Sequence, residues 1–384
     1  MVQSSGRPML SALQFTIMMT SGYFVSGFFT FPRIVATAVG RAGVWSIVGD
    51  GLVFLVVLWV TFRVQRQFSD ESLWVGSTHV LGLFWGRTLN GAVWVFHWAL
   101  TVIGVAEFCF IIQEIFLPIT PRFVIAGALV GTALYVAWHG TMGLARTLQA
   151  GFWPVVGLVL ITAGFAISLI HYPMLAIPTF HGSLEPVVRS VENNSILFLG
   201  MPIMVTLVAE MDPAQRQRGE CWAYGFFIAV IIILVFVYTA LLATFGPTYL
   251  TQVQWPVVSL LRIVSVTWFW IDKFGLFALM MWTMVLVGFT AVRILSLTQV
   301  GQTWGVVPGS RASKIWLVGT AASIWYGGLL IPNATVNEWI AHWVLIPIGW
   351  GALGAMPGVL AVASWYRSFR KSKDHGIVTQ NPLK

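Results

Sequence analysis

Charge is what this chain has least of. Only 9% of its 384 residues are Asp, Glu, Lys or Arg, 58% are hydrophobic, and the mean hydropathy is +0.83. Soluble domains carry about a quarter charged residues. No stretch between the apolar segments reaches the roughly 50 residues of even a small separate domain. This composition excludes a soluble globular protein and favours a polytopic membrane protein.

Motifs that carry enzyme chemistry are also absent from the sequence. The two cysteines, Cys109 and Cys221, lie in apolar segments without a C-x-x-C pair, and the seven histidines show no ligand spacing. We find no phosphate-binding loop, no dinucleotide fingerprint and no nucleophile elbow. The sequence therefore predicts a protein that is not an enzyme and that holds no metal or cofactor.

Long apolar runs are what the sequence does contain. A helix that spans a bilayer needs roughly 20 mostly apolar residues. We expect ten such helices in a single all-α integral membrane domain. The segments lie near 11–39, 43–63, 88–117, 122–140, 149–170, 193–211, 219–244, 268–298, 314–331 and 339–366.

The net charge of +8 is explained by where the basic residues lie. With the N-terminus inside, most of them fall in segments predicted to be cytoplasmic, and those clearly outside are Arg41, Arg122, Arg189 and Arg262. This is the positive-inside bias of membrane proteins. It predicts that both termini are cytoplasmic and that the basic tail, residues 367–384, lies near anionic lipid. It does not indicate a nucleic-acid partner.

The first apolar segment contains an interruption, "MMTSGYFVSGFFTFPR", at residues 18–33. Gly22 and Gly27 permit backbone angles that other residues resist, and Pro32 removes a backbone donor. Backbone groups inside a membrane must be satisfied within the protein or by a water-filled cavity. We therefore expect this segment to line a site, although small residues also allow helices to pack closely.

The sixth segment contains a second interruption, at Gly200 and Pro202. Breaks in the first and sixth of ten helices suggest two halves of five helices, near 11–170 and 193–366. Because five is odd, the second half would enter the membrane from the opposite face. Such an inverted repeat places its binding site near the midplane, at the broken helices.

Three stretches resemble one family. "SGFFTFPRIVATAVGRAGVWSIVGDG" (26–51) is similar to the first-helix signature of spore germinant receptor B subunits of the GerA type, permease-like members of the amino acid–polyamine–organocation superfamily. "VAEFCFIIQEIFLPITP" (105–121) resembles the end of that family's third helix, and "FGPTYLTQVQWPVVSLLRIV" (245–264) its stretch between helices seven and eight. The resemblance implies a LeuT-like fold. It also implies a nutrient sensor in the spore inner membrane, working beside an A-type subunit and a C-type lipoprotein.

Two departures from the superfamily pattern concern the breaks themselves. The Gly-Ser-Gly of the first break reads Val25-Ser26-Gly27, so a branched residue replaces the first glycine. In helix six the family often has Gly-Phe-Glu, whereas this chain has Gly200-Met201-Pro202. A role that relatives give to that glutamate cannot be transferred to this chain.

Ionisable residues inside predicted spans are functional candidates by default. Glu107 and Glu114 are nearly two turns apart and face one side of helix three. Arg33, after the first break, is in the same predicted outer half. We expect either an ion pair of Arg33 with Glu107 or Glu114, which would lower the burial cost, or a polar path lined by Glu107.

These observations define a site and two leading functions. The predicted pocket contains Ser21, Gly22, Val25, Ser26, Gly27, Ile103, Glu107, Leu199, Gly200, Met201, Pro202, Thr283 and Thr290. The first function is binding of a small germinant, most plausibly an amino acid, and signalling through the partner subunits. The alternative is a proton-coupled secondary amino acid transporter, and a channel is a third possibility.

Overall fold

The computed structural model describes residues 9–22, 27–68, 71–179, 183–264, 274–352 and 357–362. The regular structure in these ranges is helical, apart from one isolated bridge between Leu10 and Met211. Val25 and Ser26 of the predicted pocket lie outside the described residues, as does the tail at 367–384.

The helices of the first half follow the predicted apolar segments. They are α1 (Ala12–Ser21), α2 (Phe31–Val39), α3 (Gly43–Gln65), α4 (Leu73–Leu81), α5 (Leu83–Ile115), α6 (Arg122–Trp138) and α7 (Gly140–Ser168). The predicted start of the fifth segment, residue 149, was too late. The first turns of α7 contain Arg146 and Gln149, and these polar residues hide the helix from a hydropathy reading.

The second half contains both long and short helices. They are α8 (Glu185–Asn194), α9 (Arg216–Phe245), α10 (Pro247–Gln252), α11 (Pro256–Ile263), α12 (Phe274–Thr298), α13 (Arg311–Leu330) and α14 (Ala334–Ile340). Two 3₁₀ helices, Ser195–Leu197 and Met201–Glu210, follow α8, and a third, Pro213–Gln215, directly precedes α9. After α14 the chain continues through a π-helical turn, Ala341–Leu345, into helix at 346–352.

Six helical segments in the described part of the chain are long and apolar enough to cross a membrane. They are Phe31–Phe68, Leu83–Ile115, Gly140–Ser168, Pro213–Phe245, Phe277–Trp304 and Ala334–Val362. A seventh span results if Glu185–Leu197 and Met201–Glu210, which meet at a 45° bend, cross together. The chain is thus an all-helical integral membrane protein, and the full count of ten remains a prediction.

The sixth helix begins earlier than its apolar segment. Residue 193 was predicted as its start, but α8 begins at Glu185. Its polar buried residues have partners on α3: Ser46 Oγ donates to Ser190 Oγ (2.8 Å), and Asn194 Nδ2 donates to Asp50 Oδ2 (3.3 Å). A helix that buries hydroxyl and amide groups against another helix has low hydropathy, so the apolar pattern could not show it.

Helix packing brings the broken segments to the centre. α1 packs against α7, α9 and α12, and α2 packs against α8. The 3₁₀ helix Met201–Glu210 packs against α1, α3 and α12. The apolar core around these helices includes Phe15, Phe54, Phe198 and Phe289, each almost fully buried.

Candidate functional site

The first break separates α1 from α2 at Gly27. Gly27 has φ of +82°, a conformation that L-residues with a side chain rarely adopt. Its carbonyl oxygen accepts hydrogen bonds from the backbone N–H groups of Thr30 (3.1 Å) and Phe31 (2.8 Å), which start the new helix. Pro32 lies in the first turn of α2, where a missing N–H costs nothing. Gly27 therefore supplies a backbone angle and a carbonyl group from which α2 starts, and Pro32 fits the first turn of that helix.

The side chain of Glu107, on α5, contacts the backbone at the first break. The Gly27 N–H donates to Glu107 Oε2 at 3.1 Å. The glutamate is only 8% exposed, and its second oxygen, Oε1, has no hydrogen-bond partner among the described residues. A buried acceptor without a donor is costly, so Oε1 is a natural place for a donor group of a ligand.

The second break lies between the 3₁₀ helices Ser195–Leu197 and Met201–Glu210. Gly200 has ordinary helical angles, φ −79° and ψ −14°, so the backbone conformation does not require a glycine. A Cβ at residue 200 would overlap the Arg293 guanidinium group, whose Cζ atom would lie 2.8 Å away. Pro202 again lies in the first turn of the helix that follows. Glycine is needed at the second break because an arginine side chain occupies the space beside it.

The two breaks lie against one another. A Cβ at Gly22 would meet Met204 Cε at 2.7 Å, and a Cβ at Gly27 would meet Ile196 Cγ2 at 2.8 Å. Both flanks of the first break therefore touch helical residues that flank the second. A binding site between two interrupted helices requires such contact, and its position at the membrane midplane stays a prediction.

The remaining predicted pocket residues fall into two groups. Leu199, Met201 and Thr290 are fully buried, and the Thr290 hydroxyl has no partner among the described residues. The hydroxyls of Ser21 and Thr283 instead donate to carbonyl groups of their own helices, those of Met18 (2.7 Å) and Met280 (2.6 Å).

Helix α5 contributes through its backbone as well as through Glu107. The Ile103 carbonyl accepts from Asn337 Nδ2 at 3.2 Å, which ties α5 to α14. Asn337 is 5% exposed, and its Oδ1 has no partner in the described part of the chain. It was not a predicted site residue.

The expected pairing of Arg33 with Glu107 or Glu114 is wrong. Arg33 forms its ion pair with Glu338 of α14, a residue that the sequence places just before the last apolar segment. Glu114 is exposed near the end of α5 and takes no part in the site. The correct partner is 305 residues away in sequence, and no local spacing could identify it.

An arginine–histidine pair is the main feature that the sequence analysis missed. Arg293 of α12 is 2% exposed, its NH1 donates to His97 Nδ1 at 3.0 Å, and its guanidinium lies 5.0 Å above the Phe289 ring. The positive-inside rule accounts for Arg293 only as a basic residue at the inner end of the predicted eighth helix. A signal was present, because "FTAVRILSL" is apolar on both sides of the arginine.

The fold places the chain in a known structural class. It superposes on a Na⁺-coupled sialic acid symporter in a substrate-bound outward-open state, with a TM-score of 0.62 and 9% identity over 92% of this chain and 78% of that one. It also superposes on MhsT in complex with L-phenylalanine (TM-score 0.59, 13% identity, 91% and 89% covered). Mhp1, a nucleobase-cation-symport-1 family transporter, gives a TM-score of 0.60 at 13% identity, with 90% and 76% covered. The protein therefore has the LeuT-type transporter fold.

The family follows from the sequence. Residues 9–303 match the family model described as spore germination protein, and the chain belongs to this family. Among its relatives in Bacillus subtilis (strain 168), spore germination protein YndE is 23% identical over 72% of this chain and 76% of its own length. Spore germination proteins B2 and A2 are each 22% identical over 71% of this chain, covering 74% and 76% of their own lengths. Family and fold together indicate a non-enzymatic membrane protein, as the sequence predicted.

Proposed function

We propose that this chain is the ligand-binding subunit of a spore germinant receptor. It binds a small nutrient germinant, an amino acid, between the two breaks and signals through A-type and C-type partner subunits. Family membership and the relatives named A2 and B2 support the receptor role. The MhsT structure, which holds L-phenylalanine in the same fold, supports an amino acid as the ligand class.

The proposed placement is the spore inner membrane. Ten helices form two inverted repeats, near 11–170 and 193–366, with both termini in the cytoplasm. The exposed residues Met174 and Ala214 then lie on opposite sides. A cysteine introduced at Met174 should react with an impermeant reagent from outside, and one at Ala214 only from inside. The reverse pattern would exclude this orientation.

The buried Glu107 carboxyl group is the observation that carries the proposal. One of its oxygens holds the N–H of Gly27 at the first break, and the other has no partner among the described residues. The ammonium group of an amino acid is a charge-assisted donor of the kind that such an oxygen accepts. Binding at Oε1 would also fix the Glu107–Gly27 contact, and so the geometry of the break.

Proton-coupled amino acid transport is the second candidate, because the superposed structures named above are symporters or transporters. The same pocket would serve both functions. Uptake of a bound amino acid into proteoliposomes, driven by a pH gradient, distinguishes them: a receptor binds without accumulating the ligand, whereas a transporter accumulates it.

The test of the receptor proposal is thermal unfolding of the purified chain with a panel of amino acids. A ligand at about 100 times its Kd stabilises the folded state by roughly 2.7 kcal/mol. Glu107→Gln should remove this stabilisation, because the amide keeps an acceptor for Gly27 but loses the charge. Glu114→Gln is the matched control, on the same helix and exposed, and should respond like the unmodified chain.

Two results would count against the proposal. If no amino acid stabilises the chain, alone or with its partner subunits, the ligand class is wrong. If Glu107→Gln responds normally, the ligand does not use this carboxyl group.

A further inference from the structure

A small cavity lies inward of the second break, beside His97. Its volume is about 20 Å³. A cavity of at least about 10–15 Å³ is enough for one water molecule, so this one admits a single water-sized particle. Polar or aromatic residues on its lining are Thr61 of α3, Trp74 of α4, His97 of α5 and Thr206 of the 3₁₀ helix after the break, and Ala352 and Pro357 of the last helical segment also line it.

Two N–H groups of lining residues have no acceptor within the part of the chain that the structure describes. Trp74 is fully buried, and its Nε1 has no partner among the described residues. His97 is 4% exposed and accepts from Arg293 through Nδ1. Because a guanidinium can only donate, this contact fixes the neutral tautomer that carries its proton on Nε2. Within the described ranges, nothing accepts a hydrogen bond from that second nitrogen.

The hydroxyl groups on the lining are already used as donors. Thr61 donates to the Val57 carbonyl at 2.7 Å, and Thr206 donates to the Ile203 carbonyl at 2.6 Å. The N–H groups of Trp74 and His97 are therefore the donors still available among the lining residues, which also include the apolar Phe96 and Ile203. An occupant that accepts both hydrogen bonds satisfies these groups.

The charge behind His97 decides between water and an anion. Arg293 is always protonated, and no carboxylate of the described residues pairs with it. Its Nε atom is also without a partner there. A buried charge with no counter-charge costs several kcal/mol, and an anion next to His97 would reduce that cost.

We propose that Trp74, His97 and Arg293 form a binding site for a small monovalent anion. Trp74 and His97 donate hydrogen bonds to it, and Arg293 supplies the positive charge through the imidazole. The volume suits a single-atom anion such as chloride. A carboxylate, including that of a germinant, presents the same chemistry but requires the cavity to widen. The site goes beyond the proposed germinant pocket and does not depend on it.

The experiment measures thermal unfolding of the purified full chain at constant sodium concentration. Chloride is titrated against methanesulfonate, a monovalent anion too large for the cavity. We expect the Tm to rise by several degrees with saturable chloride dependence, since a ligand that binds only the folded state stabilises it. Radioactive chloride should bind with the same midpoint.

Variants assign the effect to this site. Trp74→Phe removes one N–H and keeps an aromatic ring, so the chloride-dependent shift should disappear. Trp94→Phe is the control, because its Nε1 already donates to the Leu297 carbonyl at 3.2 Å, and the shift should persist. Arg293→Met should also abolish the shift. If that variant does not fold, Trp74→Phe and His97→Phe still test the site.

A second arm separates the two sources of the anion. At zero chloride, an amino acid is compared with its amide, which lacks the carboxylate. One informative outcome is that the acid stabilises the chain, the amide does not, and Trp74→Phe abolishes that stabilisation. This result would support the proposed site and would identify its anion as the carboxylate of the germinant. If neither chloride nor a carboxylate shifts the Tm, the cavity holds water and the proposal is wrong. A chloride shift that survives Trp74→Phe and His97→Phe would overturn it as well.

Discussion

The two breaks of this protein use glycine for different reasons. At Gly27 the backbone has φ of +82°, and the glycine is required by conformation. At Gly200 the backbone is ordinary helix, and the glycine is required by the Arg293 side chain beside it. A glycine in a membrane helix can therefore indicate either a special backbone angle or the close approach of another group.

The breaks also differ in the charge that accompanies each. At the first break the Glu107 carboxyl group accepts a hydrogen bond from the Gly27 backbone N–H. Arg33, on the helix α2 that follows, forms an ion pair with Glu338. The second break has a buried arginine whose partner is a neutral histidine. Arg33 is paired with Glu338, whereas neither Glu107 nor Arg293 has an oppositely charged partner among the described residues.

The largest expected effect is from Gly200→Leu. The new side chain would displace the Arg293 guanidinium from a packed core, and overpacking of this kind typically costs about 1–3 kcal/mol or more. We expect little folded protein in membranes and a strongly lowered Tm. The control is Gly225→Leu, at a helical glycine whose Cβ would meet nothing within 4 Å.

A double variant sharpens this result. Arg293→Met in a Gly200→Ala background removes the charged group that the new methyl would overlap, so part of the lost stability should return. If Gly200→Ala is as stable as the unmodified chain, Arg293 is not the reason for the glycine, and the contrast between the breaks fails.

Gly27→Ala is expected to have an intermediate effect. A left-handed backbone costs a residue with a side chain about 1–2 kcal/mol, and here the methyl also meets Ile196 at 2.8 Å. Gly82→Ala provides the comparison, because Gly82 has φ of +83°, close to that of Gly27, but open space around its Cβ. The difference between the two losses of unfolding free energy measures the contact with Ile196. Equal losses would show that only the backbone angle matters at the first break.

Much of the fold could be predicted from the sequence because the bilayer dictates apolar length. The helices of the second, fourth, seventh and ninth apolar segments begin and end within about three residues of the predicted limits, the third begins five residues earlier, and the predicted start of the eighth lies outside the described residues. Gly27 lies shortly before α2 and Gly200 directly before the 3₁₀ helix Met201–Glu210, and their role as breaks in two membrane-spanning helices stays a prediction. Helix six was misplaced at its start because Ser190 and Asn194 are polar and yet buried, with partners on α3.

The partners of the charged groups could not be predicted in the same way. Glu107 was predicted as a site residue because it is ionisable and lies inside a predicted span; its carboxyl group contacts Gly27, and its role in ligand binding stays a prediction. Its contact with Gly27, the Arg33–Glu338 pair and the Arg293–His97 pair all join residues far apart in sequence. Such pairs depend on how helices dock, and hydrophobic periodicity does not determine that.

The smallest expected effect concerns the ion pair of Arg33 with Glu338. The two side chains are 25% and 30% exposed, and partly exposed pairs contribute about 0.2–1 kcal/mol. We expect a double-mutant cycle of Arg33→Met and Glu338→Gln, measured by unfolding, to give a coupling in that range. The coupling should fall at high salt, because exposed charges are screened.

The matched cycle pairs Arg33→Met with Glu107→Gln. Since Glu107 contacts Gly27 and not Arg33, these two changes should add within about 0.3–0.5 kcal/mol. A coupling as large as that of the Glu338 cycle would mean that Arg33 also balances Glu107, and that the first break is held by a charge network. The additive result would leave Glu107 without a cation from the protein, as an ammonium-binding role for Oε1 requires.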